Sequence, residues 1–107
     1  MANNARIQQL LEFLKSEPSD LFLNYALGVE YAALNETHVM AEQQFKNVLE
    51  LNADYIAAYY QLGKLLEARG ANSEALAFYR TGLEKAKQQK NNKAVNEFGE
   101  AIFMLED

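Results

Sequence analysis

The sequence predicts an all-α solenoid built of helix–turn–helix repeats, and three observations predict it. The chain repeats itself: Leu27-Gly28 and Leu62-Gly63 lie 35 residues apart, and Ala41, Phe45 and Leu49 return 34 residues later as Ala75, Tyr79 and Leu83. A fixed period of this length, with small residues at set offsets, marks stacked helix pairs. Apolar residues recur at helical spacing, and no strand-like alternation bounded by turn residues occurs. Proline occurs once and glycine five times in 107 residues, which suits long helices with few interruptions.

The first helix is expected over 4–16, with Asn3 or Asn4 as its cap and Ile7, Leu10, Leu11, Phe13 and Leu14 at helical spacing. Pro18 ends it, because proline cannot continue a helix and restrains the residue before it. The second helix, over 20–34, is apolar on nearly every side and is interrupted by Asn24 and Glu30. Such a helix is central or lines a binding surface. The third follows residues 35–37, with Thr37 as its cap, and runs to Leu51.

The fourth helix spans 54–69, and Gly70 supplies a left-handed stop. The fifth starts after Asn72 and runs as far as Gln89, with Gly82 inside it. An interior glycine costs about 1 kcal/mol relative to alanine, so close packing against a neighbouring backbone is expected to offset it. The sixth runs over 92–105, with Ala94, Val95, Phe98, Ala101, Ile102 and Leu105 as its apolar stripe.

Aligned by period, Asn24, Leu27, Gly28 and Tyr31 match Tyr59, Leu62, Gly63 and Leu66. Ala41, Phe45, Val48 and Leu49 match Ala75, Tyr79, Gly82 and Leu83. This pattern resembles the tetratricopeptide repeat, which implies that the α-solenoid is a right-handed superhelix. The second pair carries it best, with Tyr59 in the family's large aromatic slot. The first departs at Asn24 and in one extra residue between Tyr31 and Ala41. Leu10, Phe13 and Leu14 align with Phe45, Val48 and Leu49, and Val95, Phe98, Gly99 and Ile102 align with Tyr59, Leu62, Gly63 and Leu66; Arg6 stands where Ala41 stands. The expected organisation is one domain over 1–107: an N-terminal half repeat or cap at 4–17, repeats at 20–53 and 54–90, and a capping helix at 92–105. Gly28 and Gly63 are expected to admit a neighbouring helix closely, with Phe45 and Tyr79 filling the space between pairs. Stacking provides the core that no pair has alone.

The resemblance implies a protein-interaction module whose partner, a peptide or protein segment, lies in the concave groove of the first helices. Carried over, that groove presents Phe22, Tyr25, Val29, Ala57, Tyr60, Gln61, Lys64, Glu67, Lys93, Asn96, Glu100 and Phe103. Tyr25 and Tyr60 suit a wet, amphipathic position, although these aromatics could serve packing alone. Some family members clamp a chaperone's C-terminal carboxylate. Here those slots hold Tyr25, Val29, Gln61, Lys93 and Glu97, of which only Lys93 has a suitable type, so no such clamp is expected.

The open ends carry the alternative function. The first helix lacks a first-helix partner and the sixth a second-helix partner, so copies could complete a repeat between chains through Leu10, Phe13, Val95, Phe98, Ile102, Phe103 and Met104. Polar residues on the sixth helix favour a cap, and a monomer is the expectation. A net charge of −5 disfavours nucleic acid. Arg80, Lys85, Lys87, Lys90 and Lys93 form a local basic run, read as complementing a helix end.

Cysteine is absent, which excludes disulfides and zinc–thiolate sites. His38 lies near Glu36 and Glu42 and reads as a polar helix-start residue. No phosphate loop, zinc spacing or nucleophile–base pattern is present. No cofactor, metal or catalysis is therefore expected. Neither a signal peptide nor a membrane span is visible, and a cytoplasmic location is inferred.

Overall fold

The computed structural model describes residues 4–106; Asn3, named above as a possible cap, lies outside them. The described chain is an all-α helical repeat without strands. It runs α1 (Asn4–Ser16), α2 (Leu21–Ala32), a 3₁₀ turn (Asn35–Thr37), α3 (His38–Leu51), α4 (Ile56–Ala68), α5 (Asn72–Gln88) and α6 (Asn92–Leu105). Its packing divides into two compact units, one up to Ala53 and one from Asp54 onward.

In the first unit α2 packs against both α1 and α3. Ile7, Leu10, Leu27, Tyr31, Ala41, Phe45 and Val48 are buried. Asp20 caps α2, its Oδ1 accepting the Leu23 amide at 2.8 Å. Asn24, in the family's aromatic slot, is buried as a polar tie. Its Nδ2 donates to the Pro18 and Asp20 carbonyls at 3.0 and 2.8 Å, and its Oδ1 accepts from Gln44 Nε2 at 2.5 Å. A buried amide with its partners in place costs little and holds α2 in register with both the incoming loop and α3. Arg6 does not act as a small packing residue; it reaches Glu30 on α2 at 3.5 Å.

The 3₁₀ turn absorbs the extra residue between α2 and α3 and stops α2 two residues short of the expected end. Thr37 stands at the cap position of α3 but does not cap it. Its hydroxyl donates to the carbonyls of Tyr31 at 2.6 Å and Leu34 at 3.3 Å, so it satisfies the end of α2 instead.

In the second unit α5 packs against both α4 and α6. Tyr59, Leu62, Leu66, Ala75, Tyr79, Ala86, Ala94 and Phe98 are buried. One packing device recurs in both units: a helical glycine faces an aromatic ring of the next helix. A Cβ on Gly28 would come within 2.6 Å of the Phe45 ring, one on Gly63 would overlap the Tyr79 ring, and one on Gly82 would come within 2.5 Å of the Phe98 ring. The neighbour that offsets the interior Gly82 is therefore a ring and the Tyr59 Cβ, not a backbone. Gly99, aligned with Gly63, has nothing within 4 Å of such a Cβ.

Two helices of this unit end in the same hydrogen-bonded motif. After α4, the amides of Gly70 and Ala71 donate to the carbonyls of Glu67 and Leu66 at 3.0 and 2.9 Å. After α5, the amides of Lys90 and Asn91 donate to Lys87 and Ala86, both at 3.0 Å. This closure places one residue in the left-handed region. Gly70, at φ 79°, does so without a Cβ clash, whereas Lys90 takes φ 57° with one. Lys90→Gly is accordingly expected to raise stability by about 1 kcal/mol, measured by urea unfolding. An unchanged or lowered midpoint would show that Lys90 carries no strain.

Candidate partner-binding site

In each unit the first-helix tyrosine proposed for the groove lies against the ring seated on that helix's glycine. Tyr25 sits beside Phe45 with ring centroids 5.5 Å apart, and Tyr60 beside Tyr79 at 5.8 Å. Both tyrosines are half-buried. Each presents one part to solvent and braces a buried ring with the other, which is how an amphipathic ring is best used.

The second unit brings several groove residues together. Tyr60, Lys64 and Glu67 of α4 face Glu97, Glu100, Ala101 and Met104 of α6 across a cleft of about 210 Å³. These positions meet because α4 and α6 both pack on α5, and because the Phe98 ring docks against Tyr60 at a centroid separation of 5.7 Å. The Lys64 ammonium lies 5.9 Å from the Tyr60 ring centroid, within cation–π range. Glu67 is anchored from below, accepting a hydrogen bond from the Tyr79 hydroxyl at 2.9 Å. The cleft thus joins an aromatic face, one cation and three carboxylates, so it can hold an apolar side chain and engage donors around it.

In the first unit Phe22 is 68% exposed, while Val29 is only marginally open. Phe22 lines a different cavity, of about 710 Å³, with Phe13 and Leu23 as its other apolar walls. Glu12, Ser16, Glu17 and Asp20 complete it. Ala57, Lys93 and Asn96 are exposed and Gln61 half-buried; none of them lines a described cavity. Phe103 is 77% exposed on α6. The first-unit cavity was not legible from the repeat pattern, because α1 lies outside the paired helices; two phenylalanines flanking Pro18 were its only trace.

Of the residues considered for self-association, Leu10 and Phe98 are buried in their own units. Val95 and Ile102 are half-buried. Phe13, Phe103 and Met104 are exposed. His38 Nε2 lies 3.1 Å from the Ala32 carbonyl at the end of α2. Among the described residues no group of three or more histidine, aspartate or glutamate side chains could hold a metal. No helix among them is long and apolar enough to cross a membrane.

Electrostatics beneath the cleft make stability pH-dependent. Burial pushes the Tyr79 phenol well above the ordinary tyrosine range, and the hydrogen bond to Glu67, with its charge, pushes it further. Tyr59 is raised by burial, against Lys85 and with Asp54. Lys85 is raised mainly by its hydrogen bond to Asp54, 3.0 Å away. A tyrosine ionises more readily in the unfolded chain, near pH 10, so the folded state holds the proton longer. The stabilisation is complete below that pH and is lost as pH rises through the folded values. Urea midpoints are therefore expected to fall from about pH 10 upward, less steeply for Tyr79→Phe. Identical slopes would remove Tyr79 from the account.

No protein-family model matches the chain, and no curated protein does either. Solved structures do. The chain is similar to a tetratricopeptide repeat domain protein from Salinibacter ruber solved by NMR, with 31% identity over 84% of this chain and 90% of that one and a TM-score of 0.77. A crystal structure of a tetratricopeptide repeat domain protein from the same organism gives 30% identity over 80% and 94%, with a TM-score of 0.74. A protein from Bordetella parapertussis shares the fold at 24% identity over 96% and 89%, with a TM-score of 0.83.

Proposed function

The chain belongs to the tetratricopeptide repeat family, and we propose that it is a non-catalytic adaptor, working in the cytoplasm, that binds a peptide or protein segment on the face that its first-type helices α4 and α6 present in the second unit. The observation that carries this reading is the convergence of Tyr60, Lys64, Glu67 and Glu100 on one cleft of the second unit. The tyrosine supplies an apolar anchor surface, and the charges around it set orientation. Ala57, Gln61, Lys93 and Asn96 are proposed to extend that surface on α4 and α6, and Phe22, Tyr25 and Val29 to form a contact patch of their own on α2.

The test is capture of partners from a cell extract by wild-type protein and by a Tyr60→Ala, Lys64→Glu variant shown to be folded by circular dichroism. A protein retained by the first and lost by the second is the expected result. Retention of the same partners by both would remove the cleft from the binding surface.

One observation favours a second reading, assembly of copies through their end helices. Gly28, Gly63 and Gly82 each carry a ring, whereas Gly99 carries none beside exposed Phe103 and Met104. Because Phe98 is buried, Phe103→Ser with Met104→Ser is the informative variant. Assembly predicts a mass that rises with concentration in wild type and not in the variant, measured by sedimentation equilibrium. A constant monomer mass would exclude it.

A further inference from the structure

We propose that the cavity between the C-terminal turn of α1 and the first turn of α2 is a second docking site, taking a basic peptide segment that inserts an apolar side chain between Phe13 and Phe22. It goes beyond the face of α4 and α6, which lies in the other unit.

The apolar part comes first. Phe13 is 56% exposed and Phe22 68%, and both line the cavity together with Leu23. Two large rings left open in one cavity each forgo the stabilisation of about 2 kcal/mol that burying such a side chain brings. The chain has no need of them at the surface: α1 is held by Ile7 and Leu10, and α2 by Leu27 and Tyr31, all buried. A volume of about 710 Å³ lies in the range of ligand-sized sites, and its open mouth suits side chains projecting from a longer segment.

Charge then selects the occupant. Glu12, Glu17 and Asp20 line the cavity, and no lysine or arginine does. Lys15 neutralises Glu12 at 2.9 Å, and Asp20 is engaged by the Leu23 amide as the cap of α2. Glu17 is exposed and has no side-chain partner among the described residues. The carbonyl end of α1 adds partial negative charge from the same side. An arginine or lysine beside the inserted side chain meets that charge, whereas an acidic segment is repelled. A second copy is disfavoured on the same ground. Of its exposed apolar residues, Phe103 and Met104 travel with Glu97, Glu100 and Glu106, and Val39 and Met40 with Glu36 and Glu42, and each chain carries a net charge of −5.

The experiment uses the full chain and a synthetic, dye-labelled peptide library in which arginine pairs flank two randomised apolar positions, read by fluorescence anisotropy. Matched libraries carry glutamate in place of arginine, or serine in place of the apolar core. Saturable binding of the first library alone is expected. Phe13→Ser, Phe22→Ser and Glu17→Lys should each weaken it by about tenfold or more, and added salt should weaken it further. Val39→Ser, at an exposed apolar residue of α3 outside the cavity, should leave it unchanged. Because Phe13, Phe22 and Glu17 are exposed, these variants keep their fold, which circular dichroism checks.

Absence of saturable binding, or equal binding of the acidic or serine libraries, would overturn the proposal. Loss in Tyr60→Ala with retention in the phenylalanine variants would place the peptide on α4 and α6, supporting the adaptor face and overturning this site. A mass that rises with concentration and is abolished by Phe13→Ser would make a second copy the occupant, which also overturns it.

Discussion

A Gly63→Ala variant is expected to lose about 3 kcal/mol of stability and to show a correspondingly lower urea midpoint. The added methyl would overlap the ring of Tyr79, and that ring has nowhere to go. It is fully buried, its hydroxyl is tied to Glu67, and the rings of Tyr60 and Phe98 stand at 5.8 and 6.4 Å. The methyl therefore forces either an off-rotamer ring or a separation of α4 from α5, and both are costly in a close-packed interior. Gly99→Ala provides the opposite sign. Nothing lies within 4 Å of its Cβ, so only the helix-propensity gain of up to about 1 kcal/mol remains. The same substitution at two positions that align by period should thus move the midpoint in opposite directions. Parallel shifts would show that ring seating is not what holds these helices together.

The second large effect is expected at Phe98. Phe98→Ala should cost about 3–5 kcal/mol, because its ring is buried, fills the seat on Gly82 and meets the rings of both Tyr60 and Tyr79. Beyond this ring, α6 offers the small buried Ala94 and the half-buried Val95 and Ile102, and the exposed ion pair of Arg80 with Glu106 contributes little. The loss should therefore appear first as release of α6. Amide exchange across 92–105 should accelerate more than exchange across α4. Deleting 92–105 should lower the melting temperature in the same way, since it strips the cover from Gly82 and from one side of Tyr60. Slow exchange in α6 after Phe98→Ala would mean that other contacts fasten the helix.

Much of the fold was legible because it rests on local rules. The limits of α1 and α6 follow from apolar spacing and Pro18, whereas the Asn91 cap, whose Oδ1 accepts the Ala94 amide at 3.1 Å, emerged only in the structure. The stop at Gly70 follows from the need for a left-handed residue. The same closure at Lys90 was hidden because a lysine gives no signal for positive φ. Thr37 has the chemistry of a cap, and only the placement of the Tyr31 carbonyl decides that its hydroxyl bonds backward. Asn24 reads as a lapse from the repeat, yet Gln44, twenty residues on, turns it into a tie between helices.

The candidate site was legible only in part. The family resemblance, carried over position by position, implies that Tyr60, Lys64, Glu67 and Glu100 share the face of the first helices. It does not say that Met104 and Ala101 close the far wall, nor that Tyr25 and Tyr60 each lean on a seated ring.

By itself, then, the sequence determined the helical repeat, its period and its family, because these depend on spacing along a chain. The tertiary structure alone decided which glycines carry rings, which phenylalanines stay exposed, and where the carboxylates of α1 and α2 gather. Those properties depend on how side chains from different helices share space and charge. A one-dimensional pattern gives the same glycine at Gly63 and at Gly99; only the neighbouring helix makes the first a seat and leaves the second open.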